Sequence, residues 1–156
     1  MRLKVRKAKS EDALEAWKLI TQLQDFLGLE ITPFEEFINL WNKVAGSSQF
    51  EAFVAEEEGK IKGLATVWFR ESLSHGGRVA LIDEFIVAEG ERGRGIGTRL
   101  LEHVVNECFR EGCIEVEITT EEENFVAREF YRKLGFYKVG ILLEREREGG
   151  VGYEES

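Results

Sequence analysis

Two arginines and three glycines are interleaved in Arg92-Gly93-Arg94-Gly95-Ile96-Gly97-Thr98, the composition of an anion cradle. Glycine lets a backbone approach a ligand closely and adopt positive φ. Arginine adds charge and paired N–H donors. An apolar run, Ala80 to Val87, leads into the stretch. Leading out, Ile96, Leu100, Leu101, Val104, Val105, Cys108 and Phe109 recur at the spacing of one helix face. The glycines therefore sit where a strand turns into a helix. The first N–H groups of a helix lack intrahelical partners, and the helix dipole makes that end positive. This predicts phosphate or pyrophosphate binding. Three loop patterns compete. A nucleotide-hydrolysing P-loop needs Lys-Ser/Thr after its last glycine, but Thr98-Arg99 follow Gly97. A dinucleotide loop needs G-x-G-x-x-G, whereas Gly93, Gly95 and Gly97 are spaced G-x-G-x-G. The third pattern, Arg/Gln-x-x-Gly-x-Gly/Ala after a strand, is met at every position from Arg92 to Gly97.

A second stretch, Asn124-Phe125-Val126-Ala127-Arg128-Glu129-Phe130-Tyr131-Arg132-Lys133-Leu134-Gly135-Phe136, reads as Asn-x-x-Ala-x-x-Phe-Tyr-x-x-x-Gly-Phe. The two stretches, in this order and at this separation, resemble the signatures of the GCN5-related N-acetyltransferase (GNAT) family. The resemblance implies direct transfer of an acetyl group from acetyl-CoA to an amine, through a tetrahedral intermediate and without a covalent enzyme intermediate. It implies that backbone groups of Phe85, Ile86 and Val87 pair with the pantetheine arm, beside a gap between their strand and the strand at Ile114–Thr119. Pyrophosphate would rest on the N–H groups of Gly93, Arg94, Gly95, Ile96, Gly97 and Thr98. Arg92 or Arg94 would reach a phosphate, and Asn124 would stand near the cofactor arm. Tyr131 matches the tyrosine that protonates the departing sulfur. The base would be Asp83 or Glu84, with Glu117 a further candidate. Adjacent strand residues face opposite sides, so one of Asp83 and Glu84 at most is expected to look into the cleft, and parity with Phe85 and Val87 favours Asp83. The segment joining the first two helices would border the acceptor through Asp25, Phe26, Leu27, Glu30 and Phe34. A second reading keeps the fold and CoA or ligand binding but not turnover, as in a sensor or partner module.

The elements that must position these residues follow from pattern. Leu3 and Val5 alternate with Arg2, Lys4 and Arg6 in a first strand. Ser10 reads as the N-cap of a helix to about Phe26, ended by Gly28. Pro33 opens a second helix closed by Gly46-Ser47-Ser48. Phe50–Ala55 and Ile61–Arg70 form a hairpin about Glu58-Gly59. Ser72–Gly77 is a polar loop, and Arg78–Val87 feeds the glycine loop. The long helix ends near Gly112. A strand at Ile114–Thr119 follows, then a helix after Glu121–Glu123 that Gly135 caps. Phe136 to about Arg145 reads as a strand, and Val151-Gly152-Tyr153 as a short last one. The expected fold is α/β, a mixed, mostly antiparallel central sheet with helices on both faces, ordered β-α-α-β-β-β-α-β-α-β-(β). Its β-α-β step is a right-handed parallel crossover. The GNAT fold has this element order.

At 156 residues the chain is expected to be a single domain over 1–156 with a sizeable core. Its hydrophobic content of 43% argues against disorder. A formal net charge of −9 disfavours nucleic acid as a partner and favours a cationic acceptor amine. No apolar run reaches the length of a membrane span, and the N-terminal residues carry charge without an apolar core, so a cytoplasmic protein without a membrane partner is expected. Cys108 and Cys113 lack metal-ligand spacing and are expected as reduced thiols. No metal is expected, since His75 and His103 belong to no ligand motif. A homodimer is expected to pair the apolar Val139-Gly140-Ile141-Leu142-Leu143 across its interface.

Overall fold

The computed structural model describes residues 2–147. They fall into two compact units, one ending at Ile118 and one beginning at Thr119. The first unit holds a five-stranded sheet: β1 (Leu3–Lys7), β2 (Phe50–Glu57), β3 (Lys60–Ser72), β4 (Gly77–Val87) and β5 (Glu115–Ile118), side by side in chain order. Neighbours are antiparallel except β4 and β5, which are parallel and joined through α3 (Ile96–Arg110). Helices α1 (Ala13–Leu27) and α2 (Phe34–Ala45) complete this unit. The second unit holds α4 (Phe125–Lys133).

The sheet is covered on both faces. Ala52, Val54, Leu64 and Ile86 point to one face and pack with Ala13, Ala16 and Leu19 of α1 and Phe37 and Trp41 of α2. The alternate residues point to the other, where Phe53 meets His103 of α3 edge-on at 5.8 Å between ring centres. There a Cβ on Gly63 would stand 3.2 Å from Leu100 Cδ2. Glycine there gives room for the close approach of α3 to β3, and a larger residue would have to displace the end of Leu100. The buried residues of α3 are Ile96, Leu100, Leu101, Val104 and Cys108, the predicted face less Val105, which is half-buried, and Phe109, which is exposed. Both cysteines are buried and free. Burial pushes the Cys108 thiol up to about 12, so it stays protonated.

The helix starts differ from expectation at one place. Ser10 does not cap α1, because a 3-10 turn at Ser10–Asp12 precedes it. The polar work there falls to Asp12, which is 7% exposed. Its Oδ2 accepts from Lys9 N at 2.7 Å, and its two oxygens accept from the Arg6 guanidinium at 2.8 and 3.0 Å. That fork holds the Asp12 carboxyl below its ordinary value.

A second correction concerns Phe136–Arg145. These residues form no strand and have no ladder partner among the described residues. An apolar run without alternation does not specify a strand, and a strand is stable only beside a partner. Tyr137, Val139, Ile141, Leu142 and Leu143 are all exposed. Among the described residues the sheet is thus five-stranded, and the element order matches expectation as far as α4. The expected strand at Val151–Tyr153 lies outside the described residues.

Candidate active site

β4 carries the site. Its antiparallel register with β3 slips by one residue: Thr66 pairs with Glu84, but Val67 pairs with Ile82. Asp83 is therefore the extra residue of a β-bulge. The bulge cancels the strict alternation on which the parity argument rests. Asp83, adjacent in sequence, acts on Glu84 by raising its affinity for a proton. Asp83 is exposed and Glu84 is half-buried. Thr66, at 4% exposed, donates its hydroxyl to Glu84 Oε1 at 2.6 Å and accepts from Glu84 N at 3.0 Å. Burial, reinforced by the Asp83 carboxyl, raises the Glu84 carboxyl to about 8, against the lowering effect of the Thr66 hydroxyl. A carboxylate that takes up a proton near neutral pH is suited to general base work.

Beyond the bulge, β4 runs on through Phe85, Ile86 and Val87. The parallel ladder with β5 ends at Ile82↔Ile118, whereas the ladder with β3 continues to Val87. The glycine loop follows. Gly93 and Gly95 both have φ of +81°, the left-handed region open to glycine at little cost. A Cβ at either would meet no heavy atom within 4 Å, so both backbones face open space. Gly95 is the N-cap of α3, and no acidic residue stands in the first turn of that helix. Ile96 is buried beneath it, while Gly97 and Thr98 are half-buried.

The two loop arginines differ. Arg92 is exposed. The Arg94 guanidinium reaches Glu57 Oε1 and Oε2 at 3.1 and 3.0 Å and also pairs with Glu91. Glu91 in turn meets Lys62 Nζ at 2.6 Å. Glu57 is 8% exposed, and this chain of charges ties the loop to the β2–β3 hairpin. The Lys62 and Arg94 contacts hold the Glu91 carboxyl below its ordinary value.

Asn124 and Tyr131 belong to the second unit. Asn124 is the N-cap of α4, its Oδ1 accepting from Ala127 N at 3.1 Å. Tyr131 stands between Phe130 and Phe136, with ring centres 5.5 and 6.1 Å away. Burial pushes its phenol up to about 12, so it holds its proton at neutral pH. Glu117 lies on β5 and accepts from Arg70 Nη1 at 2.9 Å. Glu117, Glu115 and His75 have ligand-capable atoms within 4.8 Å of one another, and His75 Nδ1 lies 2.6 Å from Glu115 Oε2. Thr66, Glu57 and Lys62 were not legible as site residues. Only the strand register brings Thr66 to Glu84, and no local motif marks the ties from the hairpin to the loop.

The chain resembles known proteins in sequence and in fold. The acetyltransferase (GNAT) family model matches residues 14–136, and the chain belongs to that family. A probable glucosamine 6-phosphate N-acetyltransferase 2 from Oryza sativa is 32% identical over 74 residues, 47% of this chain and 43% of that protein. Across the curated relatives the matched stretch covers 40–57% of their length. Among solved structures, a transcriptional regulator from Bacillus halodurans superposes with a TM-score of 0.85 at 21% identity, over 94% of this chain and all of that one. An aminoglycoside N-acetyltransferase in complex with CoA superposes with a TM-score of 0.81 at 19% identity, over 94% and 95% of the two chains.

Proposed function

We propose that this protein is an N-acetyltransferase, an acyltransferase that moves the acetyl group of acetyl-CoA to the nitrogen of an amine, with residues 1–156 acting as one catalytic domain. The observation that carries the reading is the joining of two features on β4. A half-buried carboxyl with a raised pKa sits at its bulge, and a glycine loop opening α3 follows its end. Membership of the GNAT family supports it.

The loop fits the donor substrate. Gly93 and Gly95 leave open space where side chains would stand, and the α3 N-terminus offers N–H groups from Gly95 to Thr98 with no acid nearby in its first turn. Arg92 meets a phosphate, and Arg94 holds the loop in shape through Glu57 and Glu91. Backbone groups of Phe85, Ile86 and Val87 align the pantetheine arm. In the reaction Glu84 removes a proton from the ammonium, so that the neutral nitrogen attacks the thioester carbonyl. The C–N bond forms, the C–S bond breaks, Tyr131, the match to the family tyrosine, gives its proton to sulfur, and the second proton shed by the nitrogen as the amide forms restores the phenol. Asp83 raises the affinity of Glu84 for the proton it must take. Asn124, the match to the family asparagine, shapes the start of α4. No metal takes part. A reducing, cytoplasmic setting suits the free, buried Cys108 and Cys113. A second copy covers the exposed Val139–Leu143 run, and a monomeric mass by light scattering would remove that point.

Calorimetric titration with acetyl-CoA, with ATP and NAD as controls, tests the reading. Saturable, selective acetyl-CoA binding is expected. Glu84→Gln should then keep that affinity while kcat for an amine falls on the order of 100-fold or more. Equal turnover by the variant would remove Glu84 from the mechanism, and acetyl-CoA binding with no amine turnover would favour a binding module.

A further inference from the structure

Glu84 does not open toward α3. It shares a face with Thr66, hence with Leu64 and Ala52, and that is the face on which α1 and α2 pack. The donor loop belongs to α3, on the other face. An amine that gives its proton to Glu84 must therefore be bounded by the α1–α2 side, whatever its identity.

That side has an uncommon surface. The connection from α1 to α2 is tied to α1 by hydrogen bonds. Trp17 Nε1 donates to Thr32 O at 2.8 Å, and Gln24 exchanges two side-chain hydrogen bonds with Thr32 at 2.9 and 3.2 Å. Gln22 Oε1 accepts from Glu89 N at 2.9 Å, which pins the last turns of α1 to the residues just after β4. Yet this segment presents apolar side chains to water: Phe26 at 59%, Leu29 at 49% and Ile31 at 40% exposed. Three exposed apolar side chains on one short, hydrogen-bonded segment give it a surface suited to binding. Its charge has one sign. Between Lys18 and Lys43 there is no Lys, Arg or His, while Asp25, Glu30, Glu35 and Glu36 all lie there. A phosphate is recognised by Arg or Lys forks, and this segment supplies none.

We infer that the acceptor is a protonated primary amine on an apolar body, an aryl- or alkylamine without a phosphate, seated against the α1–α2 connection with its ammonium drawn by the surrounding carboxylates. This rests on the acetyltransferase reading and departs from the phosphosugar after which the rice relative is named.

Two measurements on the full chain test it. In a thiol-release assay with acetyl-CoA, kcat/KM for 2-phenylethylamine should exceed that for glucosamine 6-phosphate by about tenfold or more. Ligand-observed NMR without acetyl-CoA should show 2-phenylethylamine binding, and the double variant Phe26→Ser, Leu29→Ser should weaken it about tenfold while acetyl-CoA affinity is kept. Preference for the phosphosugar would overturn the inference. So would unchanged amine binding in a variant whose only change is the loss of a dimer, since the surface would then be a subunit contact. If acetyl-CoA fails to bind but the amine still binds at Phe26, the acetyltransferase reading falls and the amine site stands.

Discussion

Glu84 owes its chemistry to three neighbours of different origin. Its sequence neighbour Asp83 pushes its proton affinity up, its cross-strand neighbour Thr66 pulls it down, and burial outweighs both. For a base that must be deprotonated to act, kcat/KM should rise with pH through about 8 and level above it. Asp83→Asn removes one of the raising influences, so the midpoint of the pH profile should move to lower pH. A midpoint that stays in place would mean that the pair is not coupled. The same shift has a consequence for stability. The folded chain keeps a proton on Glu84 that the unfolded chain releases near the ordinary value of 4.5. Stability from this group is complete below that value and is lost as pH rises through about 8. Glu84→Gln should therefore raise the melting temperature relative to the parent above that pH, and an unchanged difference between acid and alkaline pH would contradict it. The sequence pointed to both carboxylates but chose between them by alternation. One bulged residue defeats alternation, and only the pairing register reveals a bulge.

Elements carry the site to its place, and two of them make separate predictions. The start of α3 depends on Gly95 at a φ of +81°. Gly95→Ala meets no steric obstacle, so its cost is the backbone term alone, about 1 kcal/mol. Acetyl-CoA affinity should fall with it, because the N–H groups that follow lose their alignment. Equal affinity would place the phosphates elsewhere. At the start of α1, Asp12 joins Lys9 N to the Arg6 fork in a nearly buried cluster. Removing one partner of a buried pair strands the other, so Asp12→Ala should cost about 3 kcal/mol by denaturant unfolding. Because the folded carboxyl is held below its ordinary value of 3.8, this contribution is present above that pH and is lost as pH falls below it. A change below about 0.5 kcal/mol would show that the cluster is only a surface pair. Strands, helices and the glycine loop were legible because period and glycine placement carry them. Ser10 has the residue type of a cap, but a 3-10 turn separates it from α1, and the Asp12 carboxylate that ends this turn is taken up by Lys9 N and by Arg6 from β1.

At the scale of the molecule, the chain combines a sheet covered on both faces with a net charge of −9. Among the described residues no helix is long and apolar enough to cross a membrane. The fold was legible nearly whole, because the order of elements and the two motifs agree with each other. The strand expected at Phe136–Arg145 was not found, since the partner that makes an extended segment into a strand is a non-local fact. The site was legible as a loop and a set of carboxylates. It was not legible as the Thr66–Glu84–Asp83 cluster or as the Glu57–Arg94–Glu91–Lys62 ties, which join residues far apart in sequence. One measurement tests acetyl transfer most directly: release of free thiol from acetyl-CoA by the parent protein and by Glu84→Gln, with and without a primary amine, at alkaline pH. Amine-dependent, saturable release that drops on the order of 100-fold in the variant is the predicted result. Release that is absent in both, or equal in both, would contradict it.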